Sequence, residues 1–326
     1  MEHATNPLPI FVNREISWLQ FNERVLQEAT DPRTPLIERL RFLGIYSNNR
    51  DEFFRVRVAT MKRLTNIDKL DYKVKFDPNE ILRDIYDSVY QQEEQFNSIY
   101  RSILKDLAKE NIMLINERDL DDEQGAYVRD YFYEHLRNHL NPLMLDNVIA
   151  LNSLRDKSLY LLVELFASDP KIKNAQALVR VPVDIHSRFL ILPSQGDKTY
   201  LILLDDVVRY CISDVFSVIG YDHFQAYTIK FTRDAELDID NDVSKSFLEI
   251  MSESIKQRDS GEPVRFVYED TISASLLKKL IKKLKISKTD SLRSGGRYHN
   301  FKDFMGFPKL GDSRLSYPPM PPLDHP

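Results

Sequence analysis

The chain has 326 residues, 42% hydrophobic and 29% charged, with a formal net charge of −5, as expected for a soluble globular protein of about two domains. That balance excludes a global attraction to nucleic acid or to an anionic membrane, so any anion site must be a local patch. No apolar run approaches the roughly 20 residues that cross a bilayer, Met1–Ile10 lacks a signal-peptide pattern, and the single cysteine, Cys211, excludes an internal disulfide and a cysteine-cluster zinc site; the simplest reading is a soluble cytoplasmic protein.

In chain order, Glu15–Ala29 reads as a helix with Trp18, Phe21, Val25 and Ala29 in a stripe, ended by Asp31-Pro32 and Thr34-Pro35. Leu36 to Leu64 reads as a long amphipathic helix with Leu36, Leu40, Leu43, Phe54, Val58 and Met61 on one face. Continuing that face from Leu43 reaches Ser47 and Asp51, inside the polar run Ser47-Asn48-Asn49-Arg50-Asp51-Glu52. Such residues compete with the helical backbone for hydrogen bonds. Two readings follow. One is a break between two helices, with Asn49 as N-cap and Glu52 closing a capping box. The other is a ligand pocket at which the side-chain amides and Arg50 point.

A charged link, 66–76, leads to Asp77 as N-cap, Pro78 at the first helical position and Glu80 in a capping box. The helix that follows holds Leu82, Ile85, Val89, Phe96, Ile99, Ile103 and Leu107 at 3–4 spacing for about seven turns. Three long antiparallel helices make a bundle. Beyond Glu110 come a short apolar run, Ile112–Ile115, and a helix from Asp122 to Leu140 stopped by Asn141-Pro142. Strands are expected at Leu159–Phe166, Ala177–Val181, Phe189–Leu192, Tyr200–Leu204, Gln225–Thr232 and Val264–Tyr268. Helices are expected at Asp206–Phe216, Asp242–Gln257 and Ser273–Leu284. The fold class is therefore α+β and multidomain, an amino-terminal antiparallel helical bundle followed by a mixed α+β domain. Pro318-Pro319-Met320-Pro321-Pro322 is a stiff stretch of the kind that links domains.

His135 and His139, at i and i+4, have the spacing of a shared metal, but Leu136 stands where a zinc protease carries its glutamate; a surface pair is the better reading. Ser275–Lys285 is a basic amphipathic helix that suits an anionic membrane or an acidic partner. A helix covering the sheet with its apolar face explains it better. Arg55 and Arg57 lie about two turns beyond Asn49, roughly 9–12 Å away, suited to a chain of phosphates or to pairing with Asp51 or Glu52. Arg297, His299 and Lys302 follow the pair Gly295-Gly296. No GxxxxGK[ST] loop and no nucleophile motif occurs.

NREISWLQFNERVLQEATDP, PLIERLRFLGIYSNNRDEFFRVRVA, INERDL, KFTRDAELDI, EPVRFVYE and GGRYHNFKDF, in this order, resemble the amino-terminal and middle domains of the bacterial, histidine-phosphorylating polyphosphate kinase family. The resemblance implies reversible transfer of the terminal phosphate of ATP to polyphosphate through a phosphohistidine, with ATP/ADP as substrate and Mg2+ in the full-length enzyme. It implies a homo-oligomer, dimer or higher, and no nucleic-acid partner. The second asparagine of IYSNN, Asn49, is the implied nucleotide contact. Arg55, Arg57, Arg297 and Lys302 are candidate polyphosphate contacts. The phosphorylated histidine is expected beyond Pro326, so this chain alone is expected to be inactive, with no catalytic residue and no metal ligand of its own. The expected division is a nucleotide-covering helical domain at 1–110, a middle domain at 111–310 that builds tunnel and dimer contacts, and a Pro-rich linker at 311–326. The alternative is a non-catalytic module that binds a protein, an anion or a membrane surface through the basic helix 275–285.

Overall fold

The computed structural model describes residues 12–67, 77–148, 154–194, 196–216, 219–233, 263–286 and 291–322. The link at 68–76 and the expected helix Asp242–Gln257 lie outside the described residues. Three helical runs open the chain: α1 (Arg14–Glu28), α2 (Leu36–Phe53) continuing through a π-helical turn (Phe54–Val58) into α3 (Ala59–Ile67), and α4 (Pro78–Lys109).

The side chain of Asn13 caps α1 by accepting from the amides of Glu15 and Ile16. Its buried stripe is Glu15, Leu19, Asn22 and Leu26, and Phe21 is exposed. The expected stripe is thus displaced by one residue, because a polar residue, Asn22, takes an inward position. Trp18 lies only half-buried, stacked on Phe53 at 4.8 Å. The helix α2 runs unbroken through the polar run 47–52, which corrects the expected break: Asn49 is an interior helical residue, not an N-cap. Ser47 and Arg50 are buried on the inward side of the helix, and Arg50 lies 3.6 Å from Glu93. The irregularity falls one turn later, in the π turn. Asp77 does cap α4, accepting from the amide of Asn79 at 2.8 Å, so its carboxylate is spent on that amide and no box with Glu80 forms. The inward face of α4 includes Ile81, Ile85, Val89, Phe96, Ile103 and Leu107, with Gln92 and Tyr100 among them.

The second part is built on two sheets. The smaller joins β1 (Ile112–Ile115), β6 (Thr199–Leu203) and β5 (Phe189–Ile191), with β1 parallel and β5 antiparallel to β6. The larger has six strands in the order β2-β4-β3-β7-β8-β9. They are β2 (Leu143–Met144), β3 (Leu159–Phe166), β4 (Ala175–Val181), β7 (His223–Arg233), β8 (Pro263–Glu269) and β9 (Ser291–Gly295). Only the β8–β9 pair is parallel. The helix α5 (Asp122–Tyr131) extends through π and 3-10 turns to His139, and α6 (Leu204–Tyr210) and α7 (Ile212–Phe216) divide the expected Asp206–Phe216 helix. Strand β9 has no counterpart among the expected strands, since SLRSG carries little of the β-branched signal that marks them.

Alternation along the strands places two cores on the large sheet. Leu159, Leu161, Val163, Val179 and Val181 face the small sheet and α5–α7. Tyr160, Leu162, Ile229, Phe231 and Phe266 face α8 (Ala274–Leu284), which buries Leu276, Leu280 and Leu284. The apolar side of the lysine-rich helix is therefore spent on the sheet, while Lys283 reaches the carbonyl of Asp146 at 2.8 Å. No helix among the described residues is long and apolar enough to cross a membrane.

The two parts share a third core. Phe301, Phe304 and Phe307 pack with Leu40, Leu43, Phe96 and Ile103 of the helices and with Phe189 and Leu201 of the small sheet. Gly44 permits this approach: a Cβ there would lie 2.6 Å from the backbone nitrogen of Met305. Arg41 donates to the carbonyl of Phe307 at 2.9 Å, fastening the same turn to α2.

Candidate functional site

On α2 the polar run divides between two faces. Ser47, Arg50 and Asp51, related by i, i+3 and i+4, point into the seam between helices and sheet. Asn48 and Glu52 are exposed and Asn49 is half-buried. Asn49 is held from one side: its Nδ2 donates to Oδ1 of Asn22 at 3.1 Å, and Nδ2 of Asn22, fully buried, donates to the carbonyl of Tyr46 at 3.2 Å. Asn22 thereby orients the Asn49 amide. A π turn widens the helix immediately beyond, a distortion frequent at functional sites, and it carries Arg55 and Arg57.

The candidate cations have protein partners. Arg55 pairs with Glu52 at 3.5 Å and Arg57 with Glu15 at 3.9 Å, both partly exposed. Arg297 bonds Glu117 and, at 2.8 Å, Asp206, which also accepts from Tyr298 at 2.7 Å. Lys302 is half-buried. Arg297 borders a groove of about 670 Å³ between α4 and β9, with Tyr90, Arg101 and Arg293. The expected cluster of Arg297, His299 and Lys302 is not one cationic patch, because His299 is buried. Burial and the charges of Lys230 and Arg265 push its pKa down to about 3, so it is a neutral imidazole.

His139 lies 5.1 Å, centroid to centroid, from His186 rather than forming a site with His135, which pairs with Glu134 at 3.8 Å. Among the described residues no group of three or more His, Cys, Asp or Glu is placed to hold a metal ion.

Sequence reasoning missed the charged seam itself. Lys230 donates to Asp51 at 2.5 Å, Arg265 lies 3.9 Å from Asp51 and 3.4 Å from Glu93, and Arg50 lies 3.6 Å from Glu93. Arg265 also covers the ring of Phe54 at 4.7 Å, and Arg50 that of Tyr46 at 5.4 Å. Burial pushes the Lys230 ammonium below its usual value even beside Asp51, and burial together with the Arg50 charge takes Arg265 to about 10. Burial favours the neutral Asp51 carboxyl, but Lys230 and Arg265 outweigh it and hold that group below the ordinary range. The signal was present as Lys230 and Arg265 inside strands with inward neighbours, and as Ser47 and Asp51 on the continued apolar face.

A second buried network joins α6 to the sheet and the final turn. Arg188 bonds Asp205 at 2.9 Å and the carbonyls of His299 and Asn300, and Arg209 bonds Asp206 at 2.8 Å and Glu269 at 2.9 Å. Burial and the adjacent Asp205 carboxylate push Asp206 up to about 6.

Two family models match in order: the polyphosphate kinase N-terminal domain over residues 11–115 and the polyphosphate kinase middle domain over residues 123–307. The chain is 42% identical to the polyphosphate kinases of Yersinia pestis and Escherichia coli over 320 residues, and 43% identical to that of Vibrio vulnificus over 319. These alignments cover 96–97% of this chain and 45–46% of the relatives, so the chain spans about half their length. The crystal structure of the polyphosphate kinase from Porphyromonas gingivalis superposes with a TM-score of 0.78 at 29% identity, over 97% of this chain and 44% of that one. The chain belongs to the polyphosphate kinase family and carries its N-terminal and middle domains.

Proposed function

We propose that this chain is the nucleotide-covering and chain-guiding half of a polyphosphate kinase that moves the terminal phosphate of ATP reversibly onto polyphosphate. The observation that carries the reading is the match of both domain models, in order, around an α2 whose Asn49 is held by the buried Asn22. In this reading the phosphohistidine lies in the part of the relatives that this chain does not cover, and forming it divides one displacement into two. Among the described residues no group of three or more His, Cys, Asp or Glu is placed to hold the magnesium that the family implies.

Residues 1–110 cover the nucleotide, with the Asn49 amide contacting it. Residues 111–310 build tunnel and dimer contacts, their final turn closing onto α2, and 311–326 lead onward. Arg55, Arg57 and Lys302 supply charge to the polyphosphate path. Arg297 contributes less, since two carboxylates already hold it. The protein works in the cytoplasm as a homo-oligomer. The apolar face of α8 is spent on the sheet, which leaves the alternative interaction module the exposed Lys278, Lys279, Lys282 and Lys285 of that helix.

The test is Asn49→Ala in the complete enzyme. Loss of one neutral hydrogen bond, about 0.5–1.5 kcal/mol, should raise the KM for ATP roughly two- to tenfold, and the unpaired Oδ1 of Asn22 should lower the Tm as well. Unchanged ATP kinetics would leave Asn49 as a packing residue only.

A further inference from the structure

We propose that the cavity enclosed by α2, α4, β7, β8 and the turn after β9 is a binding site for one small tetrahedral oxyanion of the class of inorganic phosphate. It faces the opposite side of α2 from the exposed Asn48 and Glu52, and it rests on the geometry of the seam, independently of the nucleotide role of Asn49.

The charges in its wall do not cancel. Arg50, Lys230 and Arg265 are the cations and Asp51 and Glu93 the anions, three against two. Arg50, Lys230 and Arg265 are 7%, 6% and 2% exposed, so solvent does little to screen the excess. Both carboxylates are already engaged, Asp51 by Lys230 and Arg265, and Glu93 by Arg50 and Arg265.

Polar atoms remain over. Nε of Arg50, Nε of Arg265, Nε2 of His299 and Oδ1 of Asn300 are buried without a hydrogen-bond partner in the protein. All four residues border the cavity, as do the hydroxyl-bearing Ser47 and Thr232. A cluster of buried donors left unpaired is strongly unfavourable and calls for a ligand. The cavity of about 40 Å³ exceeds the minimum for one water, about 10–15 Å³, and suits a single tetrahedral ion.

Chemistry selects among occupants. Water would satisfy the donors but not the surplus positive charge. A halide would neutralise that charge but cannot donate to Oδ1 of Asn300. A protonated oxyanion such as hydrogen phosphate does both: its oxygens accept from the guanidinium groups and hydroxyls, and its O–H donates to the amide. Bound there, it would tie α2 to strands β7 and β8 and couple the packing of the two domains to the phosphate level.

The probe is inorganic orthophosphate added to the 326-residue chain, with sodium chloride at matched ionic strength as reference. Titration calorimetry should show one saturable site per chain, and thermal denaturation a rise in Tm that chloride does not produce. Ser47→Ala and Thr232→Val, which leave every charge in place, should each weaken binding by roughly threefold to tenfold, and Arg265→Met should abolish it. If Arg265→Met fails to fold, the two hydroxyl variants decide. Absence of saturable binding overturns the proposal, as does unchanged affinity in both hydroxyl variants. Tighter binding of tripolyphosphate through the same residues would also overturn it, making the cavity a subsite for a chain end rather than for a free ion.

Discussion

Asn49 and Asp206 show what burial does to single polar groups in this protein. Asn22, with no exposure of its own, fixes the Asn49 amide from behind. Asp206 sits at the meeting point of Arg209, Arg297 and Tyr298, and the pressure of burial and of Asp205 raises its pKa to about 6 against an ordinary 3.8. A raised folded value means that the native state binds the proton more tightly than the unfolded chain does. Its stabilising contribution is full below about pH 4 and is lost as the pH rises through about 6. The shift corresponds to a few kcal/mol, on the order of 2–3, at one buried group. In Asp206→Asn the free energy of unfolding, measured by urea titration between pH 4 and 7, should lack that downward slope. Parallel curves for wild type and variant would assign the slope elsewhere.

At the scale of elements, the seam between α2 and strands β7 and β8 is where ion pairs do the joining. Lys230 and Asp51 are 7% and 19% exposed at their side chains and lie 2.5 Å apart. Removing one partner strands the other in a poorly solvated place, so Lys230→Met should cost about 3 kcal/mol. The double variant Asp51→Leu with Lys230→Met should be less damaged than the sum of the single changes, with a coupling of about 1–3 kcal/mol from denaturant midpoints. Strict additivity would show the pair to be incidental. The π turn at Phe54–Val58 belongs to the same seam: Phe54 lies under Arg265, and the turn carries Arg55 and Arg57, whose side chains are 20% and 40% exposed.

For the whole molecule, the shared core of Phe301, Phe304 and Phe307 makes the helical and sheet parts one packed body. Catalysis is another matter. Of its seven histidines, His3 and His325 lie outside the described residues, His299 is buried and neutral, His135 lies beside Glu134, His139 beside His186 and His223 beside Asp222. A phosphate-accepting histidine requires dense cationic surroundings. Incubated with γ-labelled ATP and magnesium, this chain should therefore remain unlabelled. Acid-labile, base-stable label on any of these histidines would refute that. In the complete enzyme, exchanging Arg55, Arg57 and Lys302 for glutamine should weaken binding of long polyphosphate. The salt slope should flatten by roughly 0.7 for each phosphate that is no longer neutralised, the value for a flexible single-stranded polyanion. An unchanged slope would make these side chains structural.

The sequence by itself determined the helical runs, most strands, the cap at Asp77, the cover helix α8 and the family, because periodic apolar residues and turn chemistry act locally and leave local marks. It also marked Asn49, through a motif. It misplaced most of the stripe of α1 and offered a break in α2 at the polar run as one of two readings, since propensity argues from neighbours in the chain while the charged partners of Arg50 and Asp51 lie far along it. Lys230 is 179 positions from Asp51, and Arg265 is 172 from Glu93. Only the tertiary structure decided that these charges meet, that Arg297 is held by Glu117 and Asp206, and that a cavity with surplus positive charge lies between the domains. Coulombic and hydrogen-bonding energies depend on distance in space and on exclusion of water, and neither quantity is written in a local pattern.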